Sequence, residues 1–139
     1  MQKQKMSWQT FDLLTDQIAK NYKDKGIKKI VGLTRGGLPL AVKLSNMLNI
    51  PMEALHFQTR DGDRQDITTL LKLARTYKKH ELLFVDDICD SGKTILEIRK
   101  FYSDPMFTVL VSKIPELVDY TPETKFECEN KWVVFPWEI

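Results

Sequence analysis

LLFVDDICDSGKT, residues 82–94, holds the pattern that decides the fold. Taken with Glu81, the run to Asp86 is apolar, flanked by charge and closed by two acids, which predicts a buried strand. A small polar turn follows, and a helix begins after Gly92. Working outward, Ile67–Tyr77 reads as a helix, and the polar stretch 58–66 (QTRDGDRQD), with Gly62 and no apolar period, reads as an exposed loop. Pro51 starts an extended segment toward Phe57. Leu38–Leu48 carries a helical stripe stopped by Asn49, and Ile27–Leu33 is a short strand broken by TRGG. Residues 8–21 place Trp8, Phe11, Leu14, Ile18 and Tyr22 at helical spacing, with Ser7 as N-cap. Downstream lie strands at Phe107–Val111 and Lys131–Phe135, the latter within a less regular tail. Strands alternating with helices predict an α/β fold, a mainly parallel central sheet with helices on both faces. Ligands in such sheets bind beyond the carboxyl ends of the strands, where the turns at 34–37 and 86–94 would both lie.

Composition narrows the class. The chain has 139 residues, suited to one domain spanning 1–139, with 42% hydrophobic and 29% charged residues, the balance of a folded protein. Lys and Arg number 21 against 19 Asp and Glu, and a net charge of +2 gives no field arguing for nucleic acid or an anionic membrane. No apolar run approaches the roughly 20 residues of a membrane helix, and the polar N-terminal stretch lacks a secretory signal. Cys89 and Cys128 make neither a disulfide framework nor a metal motif. A soluble cytoplasmic protein is expected.

The turn Asp90-Ser91-Gly92-Lys93-Thr94 offers backbone N–H groups at a helix N-terminus, two hydroxyls, and a glycine allowing close approach, which is the physics of a phosphate cradle. Asp86 and Asp87 would repel a phosphate but would accept hydrogen bonds from sugar hydroxyls or hold a hydrated Mg²⁺. Together these features suggest a phosphorylated sugar. GKT ends a P-loop motif, but the required glycine five positions before Gly92 is Asp87, so that reading fails. An ordinary strand-to-helix turn with Asp90 and Ser91 as caps accounts for one acid and one hydroxyl. It leaves two acids at the end of an apolar strand unexplained.

In the earlier turn, Arg35 supplies a forked cation for an oxyanion, and Gly36 and Gly37 let backbone amides approach it. Taken alone, the turn would be a glycine bend with a solvated arginine. Near the tail, Lys113 ends a predicted strand and could donate to a carbonyl oxygen, while Trp132 could stack on a planar ring. Singly, a solvated lysine and a core of Trp132, Val133, Phe135 and Trp137 explain those residues as well.

VDDICDSGKT resembles the signature of the type I phosphoribosyltransferases, which use 5-phosphoribosyl 1-pyrophosphate. From SWQTF through TRGGL to the W-x-x-x-P-W-E ending, the chain is most similar to the small xanthine-guanine (6-oxopurine) members. That resemblance implies the type I phosphoribosyltransferase fold with a small C-terminal hood formed by residues 116–139. It assigns ribose hydroxyls to Asp86 and Asp87, with Asp87 as the Mg²⁺ residue, directly or through water. It assigns the 5′-phosphate to Asp90, Ser91, Gly92, Lys93 and Thr94, and pyrophosphate to Thr34, Arg35, Gly36 and Gly37. The purine falls to Lys113 at the 6-oxygen, Trp132 by stacking and Val133 through its backbone, with Glu138 near the 2-substituent.

The implied reaction moves phosphoribose to purine N9, with Mg²⁺ as cofactor, in purine salvage by a homodimer or homotetramer. Asp90 is the expected catalytic base near N7. Family members often carry a non-proline cis peptide beside the equivalent of Arg35, which residue types alone do not reveal. Cys89 stands where an aliphatic residue is usual and is expected to pack as a small hydrophobe. Set beside the bacterial enzymes, a chain ending at Ile139 is expected to do without their longer C-terminal extension, and hood closure and assembly are expected to differ. The 58–66 loop matches their mobile flap in character, with Arg60 and Arg64 either reaching pyrophosphate or solvated. Transfer to another base, or a regulator that senses the donor and binds nucleic acid, remain the alternatives.

Overall fold

The computed structural model describes residues 2–57, 65–124, 126 and 128–138. Four strands build the main sheet: β2 (Lys29–Leu33), β3 (Met52–Leu55), β4 (Leu82–Cys89) and β5 (Met106–Ser112). All are parallel, in the order β3-β2-β4-β5. Parallel strands need crossovers, which are the helices α2 (Leu38–Leu48), α3 (Ile67–Thr76) and α4 (Lys93–Arg99), while α1 (Trp8–Tyr22) precedes the sheet.

Side chains alternating along each strand feed two cores, one on each face of the sheet. Ile30, Leu83, Val85 and Leu110 meet Phe11, Leu14 and Ile18 of α1 and Leu40 and Leu44 of α2. Val31, Leu33, Phe84 and Val109 meet Leu70 and Leu73 of α3 and Ile95 and Ile98 of α4. The expected α/β sheet with helices on both faces is therefore present. Each strand of the interior pair β2 and β4 is buried on both faces, which explains their nearly unbroken apolar runs.

Local signals act as expected at several ends. Ser7 Oγ accepts from the Thr10 N–H at 3.0 Å and starts α1. Asn49, left-handed at φ 55°, ends α2. Asp66 caps α3 by accepting from the Thr69 N–H at 3.0 Å. Cys89 is buried among apolar side chains, as a small hydrophobe would be. The 58–66 loop, with Arg60 and Arg64, falls outside the described residues except for Gln65, which bridges Phe57, and Asp66.

Three boundaries differ from the sequence reading. Strand β4 does not stop at Asp86 but continues to Cys89, with Ile88 and Cys89 still paired to Val111 and Ser112 of β5. Helix α4 is capped by Gly92 in the left-handed conformation at φ 80°, with no side-chain cap from Asp90 or Ser91. The polar run Gln2–Lys5 forms a strand, β1, parallel to β6 (Lys131–Val134) in a separate two-stranded sheet. The Met6 N–H extends that pairing to Val134 O at 2.9 Å. Gln17 of α1 ties down the tail before β6, donating to Glu123 O at 2.8 Å and accepting from the Glu123 N–H at 2.9 Å.

Candidate active site

The strand order fixes where a site forms. The chain leaves β2 toward β3 on one side, then returns past β2 to β4, so the loops after β2 and β4 part at their carboxyl ends. That divergence opens a crevice where open α/β sheets bind ligands. Here it is a cavity of about 780 Å³ lined by Thr34, Arg35 and Gly36 from the first loop and Asp86 through Thr94 from the second. Trp132, Val133, Phe135, Trp137 and Glu138 line its remaining wall. The β1–β6 sheet and its tail thus stand over the edge where both loops end.

Asp86 and Asp87 sit at the floor, half-buried. Each carboxylate takes a local hydrogen bond: Asp86 Oδ1 accepts from the Asp87 N–H at 2.9 Å, and Asp87 Oδ1 accepts from the Ile88 N–H at 2.8 Å. Burial, then the neighbouring Asp87 charge, pushes the Asp86 carboxyl well above the ordinary aspartate range. Burial also raises Asp87, and the Glu138 carboxylate across the cavity adds to it. Two enclosed acids beside each other are costly unless a hydroxyl donor or a cation meets them.

That all-oxygen pair fits Mg²⁺, a hard cation that keeps several waters and takes one or two protein carboxylates. Among the described residues no cluster of three or more His, Cys, Asp or Glu is arranged as a metal cage. A cation there would share its remaining positions with water and a ligand's oxygens.

Beyond the acids, Gly92 brings the chain into α4, and the turn presents the N-terminal amides of that helix beside Ser91 and Thr94. The Lys93 N–H lies 3.4 Å from Ser91 Oγ, a long contact. In the first loop the Thr34–Arg35 peptide bond is cis, and Arg35 is exposed. Gly36 faces Asp87 so closely that a Cβ would lie 2.2 Å from Asp87 Oδ2. Gly37 lies outside the cavity lining: its N–H donates to Leu33 O at 2.8 Å, and a Cβ there would meet Val85 O at 2.5 Å. It gives the loop room to turn into α2, and its amide is already used.

Lys113 also differs in place from a free strand-end lysine. Its Nζ lies 2.9 Å from Asp90 Oδ1, and its N–H donates to Cys89 O at 2.9 Å. The two residues that the resemblance assigns to O6 and N7 of the base are therefore adjacent. Trp132 is 56% exposed, and Val133 is buried behind it. Phe135 and Trp137, which read equally well as core, stack on each other at 5.1 Å between centroids and line the cavity. Glu138 closes the tail by accepting from the Phe135 N–H at 2.9 Å. The W-x-x-x-P-W-E ending was the only sequence signal for that wall.

Comparison with known proteins agrees with this geometry. The family model described as the phosphoribosyl transferase domain matches residues 5–103. A xanthine-guanine phosphoribosyltransferase of Cereibacter sphaeroides is 29% identical over 119 residues, 81% of this chain and 70% of that one. The crystal structure of a purine phosphoribosyltransferase from Pyrococcus horikoshii superposes with TM-score 0.67 at 29% identity, covering 100% of this chain and 96% of that one. A Helicobacter pylori xanthine-guanine-hypoxanthine phosphoribosyltransferase shares the fold at TM-score 0.62 and 18% identity, over 99% and 94% of the two chains. With the family model matching residues 5–103, and two adjacent acids followed by a turn of helix N-terminal amides at the switch point of its parallel sheet, this protein is a member of the phosphoribosyltransferase family.

Proposed function

We propose that the protein transfers phosphoribose from 5-phosphoribosyl 1-pyrophosphate to a 6-oxopurine, giving a nucleoside 5′-monophosphate and pyrophosphate. The observation that carries this reading is the meeting of four kinds of group in one cavity: a turn of helix N-terminal amides, paired carboxylates, an arginine loop, and a wall bearing an exposed tryptophan. A phosphorylated sugar bearing a leaving diphosphate and facing a planar ring calls for all four.

The 5′-phosphate would lie on the Ser91–Thr94 turn, where amides and the helix end favour an anion. Asp86 and Asp87 would accept hydrogen bonds from the ribose hydroxyls. Mg²⁺, held at Asp87 with the donor's own oxygens, would neutralise charge developing on the diphosphate. Arg35 and the Gly36 amide would hold the same leaving group from the other side. The bond from the anomeric carbon to the diphosphate oxygen breaks as the bond to N9 forms, with inversion. Orientation of both partners supplies much of the rate.

Preference for a 6-oxopurine is supported by the Lys113–Asp90 pair. O6 and N7 are neighbours on the purine edge. An ammonium donor and a carboxylate acceptor 2.9 Å apart match a carbonyl oxygen beside a ring N–H. Asp90 would take the N7 proton as N9 becomes nucleophilic. A 6-amino group would set a donor against Lys113, so adenine is disfavoured.

The test is a parallel assay with 5-phosphoribosyl 1-pyrophosphate, Mg²⁺ and guanine, xanthine, hypoxanthine, adenine or uracil, following nucleotide and pyrophosphate. Nucleotide from at least one 6-oxopurine and none from adenine or uracil is expected. Donor binding without turnover on any base would replace the enzyme reading with a donor-sensing regulator, and no donor binding would sink both.

A further inference from the structure

Beyond the cavity wall, one polar contact reaches the first loop from behind. His56, just after β3, places Nδ1 3.0 Å from the hydroxyl of Thr34. Thr34 lines the cavity, whereas His56 is not among its lining residues. The Thr34 backbone is anchored separately, its N–H donating to Leu55 O at 3.0 Å. His56 is itself fixed by its carbonyl, which accepts from the N–H of Asp66, the cap of α3, at 2.8 Å. The side-chain contact between His56 and Thr34 is thus not needed to hold the loop to the sheet. It places an imidazole nitrogen within hydrogen-bond distance of one hydroxyl of the cavity.

We propose that His56 is a positioning residue for the diphosphate: its Nδ1–H donates to Thr34 Oγ1 and turns the Thr34 hydroxyl hydrogen toward a bound diphosphate oxygen. The chemistry forces this order. Diphosphate oxygens only accept, and a hydroxyl has one hydrogen to give. Thr34 donates to the ligand only when its oxygen, not its hydrogen, is used by the imidazole. A histidine carrying its proton on Nδ1 satisfies that requirement. A group that only accepts at this position would take the Thr34 hydrogen and leave the ligand facing a lone pair. The inference rests on the assignment of the first loop to the diphosphate made above.

Asparagine and glutamine separate this role from simple packing, because the asparagine amide reaches the place of Nδ1 and the glutamine amide overshoots it. The experiment measures binding of inorganic pyrophosphate with Mg²⁺ by calorimetry, together with steady-state kinetics, on the full chain. His56→Ala is expected to raise the pyrophosphate Kd and the donor KM about tenfold, the scale of one hydrogen bond to a charged group. The KM for the base, kcat and the melting temperature stay near wild type. His56→Asn restores donor binding to within about threefold of wild type, a residual far smaller than the loss of a full hydrogen bond to a charged group, and His56→Gln does not. In a Thr34→Val background, His56→Ala has no further effect, since the hydroxyl it orients is gone. His80→Gln, at an exposed histidine remote from the cavity, serves as control and is expected to be silent.

Wild-type donor affinity in His56→Ala, equal behaviour of the Asn and Gln variants, or full additivity with Thr34→Val overturns the proposal while leaving the assignment of the loop intact. A wild-type protein that binds neither pyrophosphate nor the phosphoribosyl donor overturns both.

Discussion

The glycine loop at 34–37 and the acidic segment at 86–94, which is the end of β4 and the turn after it, lie at the carboxyl ends of neighbouring strands, yet they are built from opposite physics. The first is defined by missing atoms. A Cβ at Gly36 would strike the Asp87 carboxylate at 2.2 Å, and one at Gly37 would strike Val85 O at 2.5 Å and Leu33 O at 2.9 Å. The second is defined by excess charge, with two carboxyls raised first by burial, then by the Asp87 charge at Asp86 and by the Glu138 charge at Asp87. The loops interlock at Gly36 and Asp87, so the space left by one holds the charge of the other. Both depart from what stability alone would select, which is expected of residues kept for a ligand.

Breaking the steric half has the largest effect. Gly37→Ala sets a methyl against two backbone carbonyls that cannot swing away, and a loss of about 3 kcal/mol or more is expected. Urea denaturation checks this, and unchanged stability would show that the turn has room the structure does not.

Breaking the electrostatic half gives the opposite sign. Asp86→Asn is expected to weaken donor binding about 100-fold by removing a charged acceptor, while raising the melting temperature at neutral pH. The sign follows from linkage. Near and below the ordinary aspartate value of 3.8, the carboxyl is protonated whether folded or not, and its burial costs little. As pH rises from there through the raised value in the folded chain, the unfolded state releases its proton more readily, and the destabilisation grows to its full size. The melting-temperature advantage of Asp86→Asn is therefore expected at pH 7 and should shrink toward pH 4. An advantage independent of pH would mean that the gain comes from packing instead.

Gly36→Ala tests the contact between the loops. The added methyl displaces the Asp87 carboxylate, which accepts from the Ile88 N–H, and donor KM is expected to rise about 30-fold. The stability cost of Gly36→Ala should fall when Asp87 is also changed to Gly, since the colliding group is gone. Equal costs in both backgrounds would place the strain elsewhere.

The comparison also marks what the sequence could carry. The acidic loop was legible because its chemistry is written in side chains: packing alone gives no reason for an apolar run to end in Asp86, Asp87 and a Ser-Gly-Lys-Thr turn, whereas a phosphorylated sugar does. The glycine loop was legible only beside it, since Arg35 and two glycines describe many turns. The sheet with helices on both faces followed from periodicity. Strand β1 did not, because Gln2–Lys5 is polar throughout and is held by pairing with β6, more than a hundred residues away. The end of β4 was hidden for a related reason. Aspartates usually close strands, but here each carboxylate accepts from a nearby backbone N–H while the ladder to β5 continues. The Thr34–His56 and Asp90–Lys113 contacts depend on tertiary placement that no local pattern encodes.

The Asp90–Lys113 pair gives the smallest effect and the sharpest separation between loops. Lys113 is 22% exposed and Asp90 62%, so the pair is screened by solvent and adds little to folding. Lys113→Met is expected to change stability by less than about 1 kcal/mol. The proposed donor site is the turn, the carboxylates and the arginine loop, none of which this substitution removes, so donor binding should stay at the wild-type value. The KM for a 6-oxopurine should rise about tenfold, the low end for losing an ammonium donor to a carbonyl oxygen. Separate titrations of donor and base then decide the matter. A change in donor affinity alone would make Lys113 a partner of the phosphate turn through Asp90, and would move base recognition wholly onto the wall formed by Trp132 and Val133.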